Sequence, residues 1–348
     1  MAYRFADLGA LRAAGFDAIL DVRSPSEFAE DHVPGAISMP VLSDAERAEV
    51  GTIYVQQSAF KARKIGAALV ARNAAKHIEE RLMVHGGGWR PLVYCWRGGQ
   101  RSGSFASILS QIGWRAEVLE GGYRTWRRDV VARLYEAALA FRVIRLDGYT
   151  GTAKTEVLNR VGALGGQVID LEGLANHRGS ILGDVVGDQP AQKGFETALV
   201  AALAGLDPAR PLLVEAESAR IGTLRLPPAL WVAMRDAPRI VLEAAPDARA
   251  RYLAGVYADL VADGEGLTRR LNGLRALAGN ATVDDWLALL GAGEAEALAA
   301  SLIALHYDPA YGRLRREDDS RVLATVAGGD LGDDALDRAA AEVLAALA

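Results

Sequence analysis

Cys95 is the only cysteine among the 348 residues, and it sits inside the run Val93-Tyr-Cys-Trp-Arg-Gly-Gly-Gln-Arg-Ser102. A strand that ends in a thiol and turns through Gly98 and Gly99 into a helix start is a cradle for an anionic reactant. Glycines let successive backbone N–H groups converge, and the helix N-terminus adds partial positive charge. The same field, with Arg97 and Arg101, favours thiolate over thiol at Cys95. A lone cysteine is more often an inert buried residue, but this one lies in a Gly/Arg loop, and we expect chemistry there assisted by Arg97 and Arg101.

A second cradle follows. Phe141-Arg-Val-Ile-Arg-Leu146 alternates like a strand and feeds into Asp147-Gly-Tyr-Thr-Gly-Thr-Ala-Lys-Thr155 and a helix from Glu156 to Val161. The pattern G-x-x-x-x-G-K-[ST] is met at Gly148, Lys154 and Thr155, with Ala153 in place of the glycine before the lysine. Gly148, Thr150, Gly151 and Thr152 would turn backbone N–H groups toward phosphate oxygens, with Lys154 as a charge clamp. The extra methyl at 153 restricts the backbone and crowds the phosphate, so weakened binding is expected there. Pro211-Leu-Leu-Val214 then delivers Glu215 and Glu217 where P-loop proteins keep a metal-binding acid. A carboxylate there could hold magnesium or a metal-bound water beside a diphosphate; two surface acids after a strand fit the same residues equally. Between these strands, Asn176, His177, Arg178 and Ser180 fall in a polar stretch with little periodicity, which reads as a site loop for an anion or RNA.

The elements that must position these groups form an α/β chain. Short apolar runs over 18–22 and 36–40 precede the cysteine strand, and an insertion of about fifty residues separates them from it. Within the insertion, Ile65, Leu69, Ile78 and Leu82 recur at helical spacing, so a helix is expected over about 60–83, ended by Gly86-Gly-Gly88. A helix over about 123–138 closes the first domain, placed at 1–138 with its helical insertion at about 44–84. The second domain, 139–348, is a P-loop domain whose chain beyond about 240 reads as helical. His306-Tyr-Asp-Pro-Ala-Tyr311 interrupts that part as a turn or a lid.

Two domains also suit the length. With 51% hydrophobic and 24% charged residues, the composition is that of a soluble globular protein. No apolar run approaches a membrane span, and the first residues lack the pattern of a signal peptide. One cysteine leaves no internal disulfide, and the five histidines show no metal-ligand spacing. A reactive thiol also needs a reducing compartment, so a cytoplasmic location is expected. The net charge is −5, yet residues 1–140 hold 18 Lys and Arg against 15 Asp and Glu. Arg124, Arg127, Arg128, Arg133, Arg142 and Arg145 bunch near the expected domain junction. They are candidates for RNA contact, although composition alone favours a solvated helix face, and Arg63, Lys64, Arg72 and Lys76 offer a second basic surface.

Several of these pieces carry a resemblance. Asp21-Val-Arg-Ser-Pro-Ser-Glu-Phe28, His32-Val-Pro-Gly-Ala36, the Cys95 loop and Leu119-Glu-Gly-Gly-Tyr-Arg-Thr-Trp126 resemble, in order, the signatures of the rhodanese family. That family implies a parallel-sheet domain whose cysteine carries or receives a chalcogen. With the P-loop, the 170–183 stretch, Glu215-Ala-Glu-Ser-Ala-Arg-Ile-Gly222 and the 306–311 cluster, the whole resembles the tRNA 2-selenouridine synthase family. The resemblance implies a transferase that replaces sulfur by selenium in the 2-thiouridine at the wobble position of tRNA. Its implied co-substrates are selenophosphate and geranyl diphosphate, with an S-geranylated uridine as intermediate. It implies selenation at Cys95, no tightly bound cofactor, magnesium as an option, and a selenophosphate-producing enzyme as a further partner. An ATP-dependent tRNA sulfurtransferase and a non-catalytic tRNA-binding regulatory protein remain the alternatives.

Overall fold

The computed structural model describes residues 2–179, 182, 187–310 and 321–347. The chain packs as two units, Met1–Ala138 with Pro190–Gly205, and Leu139–Gln189 with Leu206–Ala348.

The first unit holds strands β1 (Ala2–Tyr3), β2 (Ala18–Asp21), β3 (Ala36–Ser38), β4 (Pro91–Tyr94) and β5 (Glu117–Leu119). They pair in the order β1-β5-β4-β2-β3, every pairing parallel. All four residues of β4 are buried, as a strand covered on both faces requires. Its Val93 joins Leu20, Val22, Phe105, Leu109 and Trp114 in one core cluster. Each fully buried Leu, Val or Phe of this kind contributes about 1.5–3 kcal/mol.

The insertion between β3 and β4 is a helical pair, Asp44–Gln56 and Ala59–His77, the second running into a wider π turn at Ile78–Leu82. Ser43 and Glu46 cap the first helix reciprocally: Glu46 N donates to Ser43 Oγ at 3.2 Å and Ser43 N to Glu46 Oε2 at 2.8 Å. The glycines 86–88 do not end the second helix, which stops before them. Instead the Gly86 carbonyl accepts from Trp114 Nε1 at 3.0 Å, anchoring the connection into β4.

The helix Gln192–Leu203 belongs with this unit. Trp126 Nε1 donates to Thr197 Oγ1 at 3.1 Å, Tyr135 Oη donates to Glu196 Oε1 at 2.5 Å, and Arg127 pairs with Glu196. A second domain running unbroken from 139 to 348 therefore has to give up Pro190–Gly205. The cause is packing between residues about 70 apart, which no local pattern announces.

The second unit is built on β6 (Val143–Gly148), β7 (Val168–Ile169), β8 (Leu212–Glu215), a hairpin of β9 (Arg220–Ile221) and β10 (Leu224–Arg225), then β11 (Arg239–Glu243) and β12 (Val322–Ala327). Its main sheet is parallel throughout, in the order β12-β11-β6-β8-β7. The chain beyond about 240 is helical for most of its described length, as expected, but β11 and β12 add two strands there. Short apolar strands of a buried parallel sheet have no period that separates them from helix. The helices Pro246–Val256, Gly264–Gly273, Asn280–Gly291 and Ala295–Leu302 make up much of the rest. No helix among the described residues is long and apolar enough to cross a membrane. In each sheet the central strand, β4 or β6, stands where the winding reverses, which opens a crevice at its carboxyl end.

Candidate active sites

Cys95 follows β4 directly, and its side chain is 4% exposed. The helix Gln100–Ile112 begins beyond the loop, and Gly99 N donates to Cys95 Sγ at 3.3 Å. Ser102 Oγ lies 3.2 Å from Sγ and 3.2 Å from the Gly99 carbonyl. Burial pushes the thiol pKa up. The hydroxyl and backbone N–H of Ser102, the Arg101 charge and the Arg97 backbone N–H outweigh that, and the pKa falls below its ordinary value. Thiolate is therefore favoured by groups aimed at sulfur.

The closing motif holds this loop in shape. Tyr123 N donates to the Cys95 carbonyl at 2.9 Å and Arg124 N to the Trp96 carbonyl at 3.1 Å. Gly98 has φ +67°, and a Cβ there would lie 2.7 Å from the Leu119 carbonyl. Only glycine fits that approach. Deeper in, Arg23 donates to Asp21 at 2.6 Å and to the Asp31 carbonyl at 2.6 Å, and its guanidinium lies 3.9 Å from the Tyr123 ring centroid. Asp21 and Arg23 are both almost fully buried, so the opening motif is a brace under the loop. Arg97 is exposed. Arg101 is held by Glu27, with Nη1 at 2.8 Å from Oε2, so part of its charge is spent within the protein.

In the second unit β6 runs into the P-loop and the helix Lys154–Ala163. Ala153 takes φ +60° and ψ +34°, the left-handed conformation that glycine adopts without cost. Ala153 is buried and belongs to the core cluster that holds Val157 and Ile240, and it also borders the pocket over the loop. The backbone thus follows the turn with alanine in place, at a cost of about 1–2 kcal/mol. The Thr150 carbonyl accepts from Arg249 Nε at 2.9 Å, and Lys154 Nζ donates to the carbonyls of Gly148 and Tyr149 at 2.9 and 3.2 Å. Lys154 is thereby parked on the loop it would leave to meet a phosphate. Thr152 Oγ1 donates to the Tyr149 carbonyl at 2.9 Å, which closes the turn.

The pocket over this loop has a volume of about 240 Å³, and Gly151, Lys154, Thr155, Glu172, Arg178 and Glu217 line it with others. Thr155 Oγ1 lies 2.7 Å from Glu215 Oε1 and 3.2 Å from Glu172 Oε2, and Glu172 N donates to Glu215 Oε2 at 3.1 Å. Burial, and then the charges of neighbouring carboxylates, raise the pKa values of Glu172, Glu215 and Glu217 together. Among the described residues no group of three or more His, Cys, Asp or Glu is arranged to hold a metal ion. The donor set fits an ion that arrives with its ligand's oxygens, with Thr155 and Glu215 as the protein's share. Arg178 faces this pocket, with its guanidinium 5.3 Å from the Tyr257 ring centroid. Asn176 caps a short helix at φ +47° and donates to the Asp188 carbonyl at 3.2 Å, while His177 is buried and accepts from Gly179 N at 3.1 Å through Nδ1. These two shape the loop that presents Arg178. Ser180 and Tyr311 lie outside the described residues.

Residues 5–129 match the rhodanese-like domain family, and residues 141–273 match the tRNA 2-selenouridine synthase AAA domain. A tRNA 2-selenouridine synthase of Shewanella denitrificans is 31% identical over 341 residues, spanning 88% of this chain and 90% of its own. Those of Alcanivorax borkumensis and Cupriavidus necator are each 34% identical, over 84% and 88% of this chain and 88% and 90% of theirs. The chain belongs to the tRNA 2-selenouridine synthase family.

Within this family member the basic cluster divides between the units. In the first unit Arg124 and Arg128 are exposed, Arg127 is bound to Glu196, and Arg133 pairs with Asp129 at 2.8 Å. In the second, Arg142 donates to the Leu347 carbonyl at 3.2 Å and Arg145 to the Ala237 carbonyl at 3.0 Å. Arg63, Lys64, Arg72 and Lys76 are all exposed. Two functional side chains escape sequence reasoning. Glu172 enters the carboxylate group from a stretch read as a polar loop. Arg249 comes from a helix, 3% exposed, and grips both the P-loop and Asp308, with Nη2 at 2.6 Å from Oδ1. An acid in the 170–183 stretch was the one available signal for Glu172; nothing in the sequence marks Arg249.

Proposed function

We propose that this chain converts 2-thiouridine at the tRNA wobble position to 2-selenouridine through S-geranyl-2-thiouridine, using geranyl diphosphate and selenophosphate. The observation that carries the reading is a pair of unlike anion cradles in one chain, a thiol loop and a P-loop. The volume of about 240 Å³ over the P-loop suits a diphosphate head.

In the first step the thiocarbonyl sulfur attacks C1 of the geranyl group. The C–O bond breaks, diphosphate leaves with the electron pair, and the base loses its N3 proton. Lys154 and the loop amides stabilise the charge gathering on the leaving group. Thr155 and Glu215 would hold magnesium that comes with the diphosphate, and the ion would supply further charge neutralisation. In the second step selenium from selenophosphate adds to C2, the C2–S bond breaks, and geranylthiol departs with a proton. Water cleaves the P–Se bond and releases phosphate. The Cys95 loop binds the selenium donor, and Cys95 is the residue on which this step depends. Alkylation is what makes the exchange feasible, because it turns a poor leaving group into a neutral thiol.

The tRNA, on this reading, presents a wobble base splayed from its loop. The exposed Arg124 and Arg128 take phosphate contacts, so affinity should fall with added salt. Affinity that ignores salt would remove that surface. The setting is the cytoplasm, where thiols stay reduced. The test of the whole is mass spectrometry of nucleosides after incubating 2-thiouridine tRNA with both donors. We expect 2-selenouridine, and S-geranyl-2-thiouridine when selenophosphate is withheld. ATP consumed in step with product would make the chain a sulfurtransferase, and no modified nucleoside at all would leave a tRNA-binding protein.

A further inference from the structure

Leu253 and Tyr257 each border two spaces in the second unit. One is the pocket over the P-loop; the other is a slot whose twelve lining residues are all apolar or aromatic. Leu267, Leu298, Ala299, Leu302 and Tyr307 form much of the slot and none of the phosphate pocket. It lies at a seam: Leu253 and Ala299 belong to one hydrophobic cluster, and Leu267, Leu298, Leu302 and Tyr307 to another. A chain can part such a seam while each cluster keeps its own packing. The slot is nearly closed, at about 30 Å³, against the close packing usual in interiors. At the shared wall the Tyr257 ring has the Arg178 guanidinium 5.3 Å from its centroid, and Arg178 also lines the phosphate pocket. Arg178 and Tyr257 thus stand together where the phosphate pocket and the slot share a wall.

We propose that this slot takes the terpenyl chain of the diphosphate ester whose phosphates the P-loop holds, and that its walls set the chain length accepted. The inference rests on the proposed use of geranyl diphosphate and adds where the hydrocarbon goes. A ligand with a polyanionic head and an apolar tail needs a polar pocket that offers cations, here Lys154 and Arg178, beside an apolar one. Among the described residues, this is where the two meet through shared side chains. Hydrocarbon entering the seam leaves water for an apolar wall, which is the main source of affinity for such a tail.

The experiment measures binding of geranyl diphosphate and of inorganic diphosphate to the full chain by calorimetry. The wild-type chain should prefer the geranyl ester by about 100-fold or more, as burial of several methylene-sized groups predicts. Ala299→Phe fills the slot and should cut that preference to about tenfold or less. Its affinity for inorganic diphosphate should be unchanged, which also shows that the P-loop is folded. Leu302→Ala enlarges the slot and should shift preference toward farnesyl diphosphate. If Ala299→Phe disturbs folding, the Leu302→Ala comparison decides alone. A geranyl preference that survives Ala299→Phe, or a chain-length preference that Leu302→Ala leaves untouched, overturns the slot while leaving geranyl diphosphate as substrate. Wild-type chain that binds neither ligand refutes the reading underneath.

Discussion

The Cys95 loop and the P-loop share a plan and differ in charge. Each leaves the carboxyl end of a central parallel strand, passes a left-handed residue and enters a helix. In the first, the left-handed residue is Gly98, pressed against the Leu119 carbonyl; in the second it is Ala153, whose methyl has core to enter. The substitution that looks damaging in sequence is accommodated where the missing hydrogen is replaced by packing, and could not be at Gly98. Charge separates the two more sharply. Around Cys95, hydrogen bonds and Arg101 draw the thiol toward its anion. Around Lys154, three carboxylates are pushed toward their neutral acids. One cradle is set for an anion as it stands; the other awaits a proton or a cation.

Breaking the second cradle should have the largest effect. Lys154→Ala removes a charge-assisted contact to diphosphate and should slow geranylation by about 10- to 100-fold, while selenation of tRNA supplied already geranylated survives. Steady-state rates on the two tRNA substrates check it. Equal loss of both reactions would assign Lys154 to tRNA binding or to folding.

A smaller effect concerns pH. Glu217 and Glu172 have folded pKa values raised to about 7 and about 8, above the unfolded value near about 4.3. For raised carboxylates, the stability they contribute is fully present below the unfolded value and is lost as pH rises through the folded ones. The Tm of the ligand-free chain should therefore fall between about pH 5 and pH 8. Glu217→Gln should fall less steeply, matching wild type near pH 5 and exceeding it at pH 8. Parallel curves for the two proteins would show that the Glu217 carboxyl is not raised as described.

The smallest effect is at Ala153. Replacing it by glycine relieves the left-handed strain but adds freedom to the unfolded chain, so the two terms nearly offset. Stability in urea should change by less than about 1 kcal/mol, with diphosphate affinity kept. A larger loss would mean that the buried methyl matters more than the turn.

Legibility in the sequence followed chain locality. The Cys95 loop, its opening and closing motifs and the P-loop are each contiguous, and within the first unit Tyr123, Arg124 and Glu27 of those motifs bond directly to the Cys95 loop. Glu172 and Arg249 act through packing across 43 and 99 residues, reaching Glu215 and Thr150, and local spacing carries no trace of that. The strand β11 offers a short apolar run with no period to distinguish it. The helix Gln192–Leu203 lies within the sequence span of the second unit and packs with the first. Arg127 looked available for RNA because its partner, Glu196, lies on that helix.

The division of labour between the loops is tested most directly by complementation. Cys95→Ala, incubated with 2-thiouridine tRNA and both donors, should stop at S-geranyl-2-thiouridine. Purified from that protein, the tRNA is then given to Lys154→Ala with selenophosphate, and the nucleosides are read by mass spectrometry. The account predicts 2-selenouridine from the sequence of two proteins, each of which makes little or none alone from 2-thiouridine. Folded Cys95→Ala that forms no geranylated nucleoside, or a geranylated tRNA that Lys154→Ala cannot convert, would contradict it.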